Sequence, residues 1–286
     1  MKKFLLFCVF CACAFGSDPI SFDSLFKKQI GLRSITTLEY LSSGNADFYN
    51  SKPFVSVFND GKSYLDNKQI SLRQTLIYSL NKSFDIVLNA KASYVRSDIE
   101  EGGFFSATTY STEQRANFDS VGVGVIYSFD SLGSFIPQIS LNLGAFERVR
   151  FDGIIKNFSA KNASAQVSFK TYSDPLILSL YVGFGYNDNL KFKGNAVNFG
   201  NAYYAGFDGS IVLSPKVSLD IGFQQSYQEA SKYNGRQYTG NYSIPTISLG
   251  FSYSFDDDTA ISLSGTGSGS NSAPSSIFGV SLWKKF

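Results

Sequence analysis

The chain has 286 residues and a formal net charge of +2, with 43% hydrophobic and only 17% charged residues. Its mean hydropathy lies near zero, which excludes a bundle of membrane helices, and its balanced charge gives no basic face for nucleic acid. Gly, Tyr and Phe are abundant while Met and Trp each occur once, a composition that favours strands and turns over packed helices.

Residues 1–16 have the features of an export signal. Lys2 and Lys3 form a positive start, an apolar stretch follows, and small residues precede a cleavage position before Ser17. The alternative is lipid attachment at Cys13. All three cysteines lie in this segment, so we expect a mature chain without disulfides. Removing Lys2 and Lys3 from 25 basic residues leaves 23, which equals the 23 acidic residues.

Residues 17–29 precede the first strand-like segment. Ile20, Phe22, Leu25 and Phe26 are spaced more like one face of a short helix than like a strand. We interpret the segment as a periplasmic N-terminal extension. If the strands that follow enclose a lumen, the segment either plugs that lumen or lies outside it.

Residues 30–286 repeatedly alternate apolar and polar side chains. Segments such as 84–94, 135–145 and 176–187 keep this period of two for about 11 residues, near the 9–11 needed to cross a bilayer. A soluble β-sandwich, the alternative, usually has strands of about 5–6 residues. The pattern predicts an all-β fold, an antiparallel up-and-down transmembrane β-barrel.

The same pattern predicts about twelve spanning strands. Fourteen is the alternative, because residues 53–58 also alternate and would break the even count unless a second span had been missed. The predicted spans are 30–41, 68–80, 84–96, 117–129, 135–147, 161–172, 176–187, 202–213, 217–228, 242–255, 258–267 and 276–286.

Short and long connections alternate between these spans. The long ones are predicted at 97–116, 148–160, 188–200, 229–241 and 267–275. Outer-membrane barrels have short periplasmic turns and longer outer loops, so the lengths also orient the barrel. Aromatic residues such as Tyr127, Phe129, Tyr253 and Phe255 flank the short turns, as expected of an interfacial girdle.

The last segment, 276–286, has apolar residues at alternate positions and ends in Phe. Phe278, Val280, Leu282 and Phe286 resemble the terminal strand of Gram-negative outer-membrane proteins, although Lys284 departs from that pattern. The resemblance concerns general architecture over 30–286 and reaches no single family. It implies a location in the outer membrane in contact with its lipid, and recognition of this strand by the barrel-assembly machinery.

The polar face of the spans predicts the lumen. Many of its residues are Ser or Gly, and a barrel of twelve strands with small residues inside would leave a water-filled path or a ligand cavity. The alternative is that small residues only permit tight coiling, or that another segment fills the space. Eight charged residues are candidates for ion or solute selectivity, or for an internal ion-pair network: Arg33, Glu39, Arg73, Asp85, Lys91, Lys170, Asp208 and Asp220.

The chain contains no histidine, which removes the base that a serine hydrolase of the outer membrane would need. We therefore expect no enzyme, no catalytic residues, no metal site and no cofactor. The favoured function is a porin-like channel for the diffusion or export of small polar solutes, without nucleic acid as a partner. The alternative is a sealed structural or adhesin-type barrel that binds through its outer loops.

Overall fold

The computed structural model describes residues 30–43, 62–101, 109–151, 154–173, 175–270 and 273–286. In these residues the chain forms strands and turns, and no helix is long and apolar enough to cross a membrane. The strands are β1 (Gly31–Ser43), β2 (Lys62–Ser79), β3 (Phe84–Glu101), β4 (Thr109–Ser128), β5 (Phe135–Phe151), β6 (Ile154–Phe158), β7 (Asn162–Ser173), β8 (Leu176–Asn187), β9 (Leu190–Phe192), β10 (Asn195–Asn198), β11 (Ala202–Ser214), β12 (Val217–Gln228), β13 (Lys232–Tyr233), β14 (Arg236–Gln237), β15 (Tyr242–Ser254), β16 (Thr259–Ser270) and β17 (Ala273–Lys285).

Twelve of these strands form a closed antiparallel barrel. Around the barrel the order is β1, β2, β3, β4, β5, β7, β8, β11, β12, β15, β16 and β17, and β17 pairs with β1 to close it. The closure is in register, with Thr37 opposite Ser281, and the backbone N–H of Phe286 donates to the carbonyl of Leu32 over 2.9 Å. The predicted fold class and the count of twelve are confirmed.

One end of the barrel, which we call the turn end, carries the short connections. Residues 80–83 and 255–258 are examples, and both chain ends of the barrel lie there too. Asn81 and Asp256 stop the strands because their side-chain oxygens accept backbone N–H groups of the turn, from Ser83 over 2.8 Å and from Asp258 over 2.9 Å. At Gly133, φ of 63° permits the tight reversal before β5.

The outward face of the barrel is an apolar band. Leu141 remains 50% exposed, and Val182 and Leu249 each 58%, a degree of exposure that a water-soluble barrel would not tolerate over its whole circumference. A closed barrel satisfies its backbone hydrogen bonds internally, so this band can face lipid on all sides. Aromatic pairs such as Tyr127–Phe129 and Tyr253–Phe255 lie where the band meets the turn end.

The opposite end, which we call the loop end, differs from the expectation of open loops. The prediction of a loop over 97–116 is wrong, because β3 continues to Glu101 and β4 begins at Thr109. The predicted loop at 267–275 is also mostly strand, since β16 reaches Ser270 and β17 begins at Ala273. Polar residues can extend a strand beyond the bilayer because cross-strand hydrogen bonds do not depend on an apolar face.

Three of the long connections fold into a cap at the loop end (residues 149–151, 154–158, 188–200 and 229–241). β6 pairs with the end of β5, while β9, β10, β13 and β14 form a separate four-stranded sheet. The cap has its own apolar core around Phe192, which is 1% exposed and contacts the rings of Phe151 and Phe158 with centroids 5.4 and 5.2 Å apart. The same core includes Leu190 and Val197.

Several predictions fall outside the described residues. They concern the export signal (1–16), the N-terminal extension (17–29) and the alternating stretch 53–58.

Candidate functional site

The lumen is the candidate functional site, and strand alternation decides which side chains enter it. In β3, for example, Ile86 and Leu88 are exposed on the outward face, while Asp85 and Val87 are buried on the inward face. The cross-strand registers carry the same assignment around the barrel. They place all eight predicted charged residues on the inward face: Arg33, Glu39, Arg73, Asp85, Lys91, Lys170, Asp208 and Asp220. Their role in selectivity stays a prediction.

Near the turn end, β1, β2 and β3 share a buried ion pair. Arg33 Nη2 lies 3.5 Å from Asp85 Oδ2 and donates to Ser79 Oγ over 3.0 Å. The Asp85 side chain is 5% exposed and that of Arg33 23%. The pair therefore ties three neighbouring strands together, as in the internal-network interpretation.

A second charged group crosses four strands farther toward the loop end. Glu39 accepts from Arg73 Nη2 over 3.3 Å and from Ser71 Oγ over 3.1 Å. Arg73 stands directly opposite Lys91, so two cations lie side by side on the inner wall. Glu39 on one flank and Asp119 on the other offset their repulsion.

Asp119 was missed by the sequence analysis. Strict alternation from Ser120 and Gly122 would point it outward, into lipid. The ladder between β3 and β4 instead shifts at this residue: Lys91 pairs with Ser120 and Ala92 with Phe118, which leaves Asp119 as the extra residue of a β-bulge. The bulge places Asp119 inside, 6% exposed and hydrogen-bonded to Ser93. The only signal in the sequence was that strict alternation would turn the Asp119 carboxylate toward lipid, which is unfavourable.

On the opposite wall, serine hydroxyl groups donate hydrogen bonds to an acidic side chain. Asp220 on β12 accepts from Ser210 and Ser252, and from Ser218 over 3.2 Å. Asp208 on β11 lies across Gly222 of β12, close enough that a Cβ there would approach Asp208 Oδ1 to 2.8 Å. Lys170 and Asp208 both pair with Ser179 of β8. The eight charged residues thus form local clusters within each wall and not two ladders of opposite sign.

Between the charged residues and the cap lies a cavity of about 770 Å³. Its lining comes from both halves of the barrel, from β2 through β17. Val95, Ile244 and Ile277 contribute apolar side chains, and many of the other lining residues carry an amide or a hydroxyl, among them Asn89, Asn142, Asn162, Gln224, Gln228 and Thr246. Phe199 and Ile155 of the cap line it too. Gln228 donates to the carbonyls of Phe199 and Gly200 over 2.9 and 3.1 Å, which fixes the cap to the barrel wall.

Larger side chains lie across inward glycines of the neighbouring strand, and this keeps the cavity open. A Cβ on Gly122 would come within 2.6 Å of Asn89 Oδ1, and one on Gly144 within 2.6 Å of Asn162 Nδ2. Tyr204 covers Gly183 in the same way. Because each glycine leaves room for a neighbour to lie along the wall, these side chains do not project across the lumen.

Charged residues at the edge of the cavity are held by protein partners. Arg150 Nη1 lies 2.9 Å from Glu113 Oε2, and Arg148 Nε donates to Asn157 over 3.0 Å. Glu147 accepts from Asn162. Nearby, outside the membrane-spanning strands, a hydrogen bond from Lys161 holds the pKa of Asp188 below its ordinary value, which keeps the Lys161–Asp188 pair charged as the pH falls.

Three residues of the predicted assembly signal lie on the outward face of β17, and the fourth, Phe286, follows directly after the strand. Phe278, Leu282 and Phe286 are 55%, 45% and 72% exposed, and Val280 lies between them on the same face. Lys284, the departure from the pattern, also points outward and donates to Thr259 Oγ1 over 2.8 Å. A separate point concerns metal ions: within the part of the chain that the structure describes, no group of three or more acidic or cysteine side chains is placed to hold one.

No protein-family model matches this chain, and neither does any curated protein. Solved structures with the same fold include an outer-membrane channel from Pseudomonas putida F1, with a TM-score of 0.60 and 12% identity over 91% of this chain and 97% of that one. The translocator domain of the autotransporter NalP from Neisseria meningitidis has a TM-score of 0.54 and 14% identity, with 92% and 91% covered. The transport unit of the autotransporter AIDA-I from Escherichia coli has a TM-score of 0.50 and 13% identity, with 98% and 97% covered. At such identities the likeness is one of fold, that of outer-membrane β-barrels.

Proposed function

We propose that this protein is an outer-membrane channel through which small polar solutes diffuse or are exported. The observation that carries the proposal is the cavity of about 770 Å³, with amide and hydroxyl side chains in its lining, inside a closed barrel. A barrel of about eight strands is filled by its own side chains, whereas a wider barrel such as this one has room for solutes. Here, among the described residues, glycines on one strand make room for side chains of the next to lie close to the wall.

The membrane setting rests on the outward apolar band and on the export signal proposed for residues 1–16. We place the turn end in the periplasm and the cap outside the cell, because short turns are periplasmic in outer-membrane barrels. Residues 17–29 would then begin at the periplasmic mouth, as a plug or as a free extension. Mass spectrometry of the protein recovered from outer membranes tests the cleavage before Ser17.

The charged residues of the lumen predict weak selectivity between cations and anions. On one wall Arg33 is paired with Asp85 and Arg73 with Glu39, and on the opposite wall Lys170 accompanies Asp208 and Asp220, so neither wall presents a row of one sign. A reversal potential near zero in a salt gradient is the expected result. A strong cation or anion preference would contradict this arrangement.

Purified protein in planar bilayers and in liposomes tests the channel. We expect reproducible conductance steps and swelling of liposomes in small polar solutes. Ser164→Trp adds bulk to the cavity lining, while Ala165→Trp adds the same bulk on the outward face. The first substitution should reduce the conductance severalfold and the second should leave it unchanged.

Both variants must first show the heat-dependent gel shift of a folded barrel. Folded wild-type protein without conductance would overturn the proposal and favour a sealed surface barrel.

A further inference from the structure

On the lumen wall, two tyrosines each lie directly opposite a glycine of the neighbouring strand. Tyr204 on β11 pairs directly with Gly183 on β8, and Tyr181 on β8 pairs directly with Gly206 on β11. A Cβ on Gly183 would meet Cζ, Cε2 and Oη of Tyr204 at similar distances, so the ring lies across the wall above this glycine. One face of the Tyr204 ring is therefore turned away from the wall, and Tyr204 lines the cavity.

The surroundings of this ring are neutral and polar. Gln224 donates to Ser226 Oγ over 2.8 Å, accepts from Tyr181 Oη over 3.3 Å and lines the cavity beside Tyr204. Amides and hydroxyls both donate and accept hydrogen bonds. A ligand with many hydroxyl groups can use both capacities, whereas an apolar aromatic ligand would leave these groups unsatisfied.

The charged residues at the cavity do not favour a charged ligand. Arg150 is engaged by Glu113, and Glu147 by Asn162. Asp119 is hydrogen-bonded to Ser93 and lies in the field of Lys91, Arg115 and Arg148. Arg150, Glu147 and Asp119 are each held by a protein partner, so an ionic group on a ligand would have to compete with that partner.

We propose that the cavity is a binding site for a neutral saccharide, with one sugar ring stacked on the face of Tyr204 and its hydroxyls bonded to the amide lining. This rests on the proposed channel function and names its solute class. The C–H groups of a sugar ring suit an aromatic face, while its hydroxyl edge suits amides. A volume of about 770 Å³ lies within the usual range of small-molecule sites, about 300–1,000 Å³.

Isothermal titration calorimetry on the folded protein in detergent tests the binding directly. The probes are maltose, sucrose and raffinose, with gluconate as an acidic probe and benzyl alcohol as an aromatic one. We expect saturable binding of at least one neutral sugar and none of the last two. Absence of any sugar binding, or preferential binding of gluconate or benzyl alcohol, would overturn the inference.

Substitutions at position 204 assign the binding to the ring. Tyr204→Phe keeps the face and should retain the affinity within about twofold, whereas Tyr204→Ala should weaken it by about tenfold or more. Tyr204→Leu preserves bulk without a ring and replaces the alanine variant if that one fails to fold. Tyr203→Ala, on the outward face, is the matched control and should bind as wild type. Equal affinity in wild type and Tyr204→Leu would contradict the stacking role.

Calorimetry and conductance separate the two proposals. Sugar binding without conductance would support the site and overturn the channel. Conductance without sugar binding would leave the channel and overturn the site. Sugar-dependent reduction of the current, lost in Tyr204→Leu, is the result expected when both hold.

Discussion

Single glycines shape the inner wall of this barrel through what lies across them. At Gly206 a Cβ would come within 2.6 Å of Tyr181 Oη and even closer to the backbone carbonyl of Phe223. The tyrosine could swing away, but the carbonyl belongs to the strand ladder and cannot move without disturbing the pairing of β11 with β12. Gly206 is thus needed for close backbone approach, while a Cβ on Gly265 of β16 would stand in open space.

Gly206→Ala should therefore destabilise the barrel by about 1–3 kcal/mol, the usual cost of overpacking a close-packed site. Gly265→Ala is the control and should stay within about 0.5 kcal/mol of wild type. Urea unfolding in lipid vesicles, followed by fluorescence of the single tryptophan, Trp283, measures both. Equal unfolding curves for the two variants would contradict the close approach at Gly206.

For single residues, the alternation of apolar and polar side chains was sufficient to predict that the charged residues point into the lumen. It succeeds for Arg33 or Asp220 because an uninterrupted ladder sends every second side chain to the same face. It fails at Asp119, where one extra residue in β4 shifts the face on which the following positions lie. A bulge is set by pairing with the next strand, so no pattern within one strand announces it.

Among the elements, the cap folds around an apolar core of its own. Phe192 is nearly fully buried between Phe151 and Phe158, and Gln228 and Asn187 hold the carbonyl of Gly200 by hydrogen bonds. The barrel beneath is closed by its own ladder and shares this core only at the end of β5, where Phe151 lies. Cap and barrel should therefore lose stability separately.

Phe192→Ala should remove about 3–5 kcal/mol from the cap, the usual cost of deleting a buried phenylalanine side chain. We expect trypsin to cut at Lys191 or Lys193 much faster than in wild type, with the heat-dependent gel shift of the barrel unchanged. Arg236→Ala, exposed on β14 of the same sheet, is the control and should resist trypsin at these lysines like wild type. A lost gel shift in Phe192→Ala would show that cap and barrel are one cooperative unit.

Phe286, which follows the terminal strand β17, raises a different question, whether it serves the stability of the folded barrel or its assembly in the cell. Phe286 is 72% exposed and contributes to closure through its backbone N–H, which any residue would supply. Its ring therefore adds little to the stability of the finished barrel. We propose that the ring is read during assembly in the cell, together with Phe278, Val280 and Leu282.

Phe286→Ala should then lower the amount of barrel in the outer membrane severalfold without changing refolding in detergent. Phe255→Ala, which removes a similarly exposed aromatic ring at the turn end, is the control for girdle effects. Membrane fractionation and a refolding assay on the same variants give the two readouts. Equal loss in both assays, or equal loss in both variants, would contradict a recognition role.

The strand boundaries were predictable from the sequence at one end of the barrel and not at the other. At the turn end the predicted spans agree with the strands to one residue, as at Phe84, Phe135 and Leu176, because Asn, Asp and Pro end the alternation there. At the loop end, β4 begins at Thr109 and not at 117, because polar residues continue the pairing without an apolar period. The cap depends on contacts among three separate connections, which alternation within one segment cannot reveal.

For the whole molecule, closure is the property from which lumen and lipid face both follow. An open sheet of these strands would expose unpaired backbone groups at β1 and β17 to lipid. The register predicts which side chains meet at the seam: Thr37 of β1 stands opposite Ser281 of β17, with their hydroxyl oxygens 2.9 Å apart inside the lumen. Even strand number and paired termini were readable from the sequence, whereas this register was not.

The seam can be tested by a disulfide, since the cysteines of this chain lie only at 8, 11 and 13 and a protein produced from Ser17 onward has none. The double variant Thr37→Cys with Ser281→Cys should cross-link on oxidation of the refolded barrel. Linking two residues this far apart in sequence should change gel mobility after heating, and reducing agent should reverse the change. Thr37→Cys with Gly279→Cys, displaced by two residues along β17, should cross-link much less. The opposite preference would move the register by two residues, and no cross-link in either variant would mean that β1 and β17 do not meet.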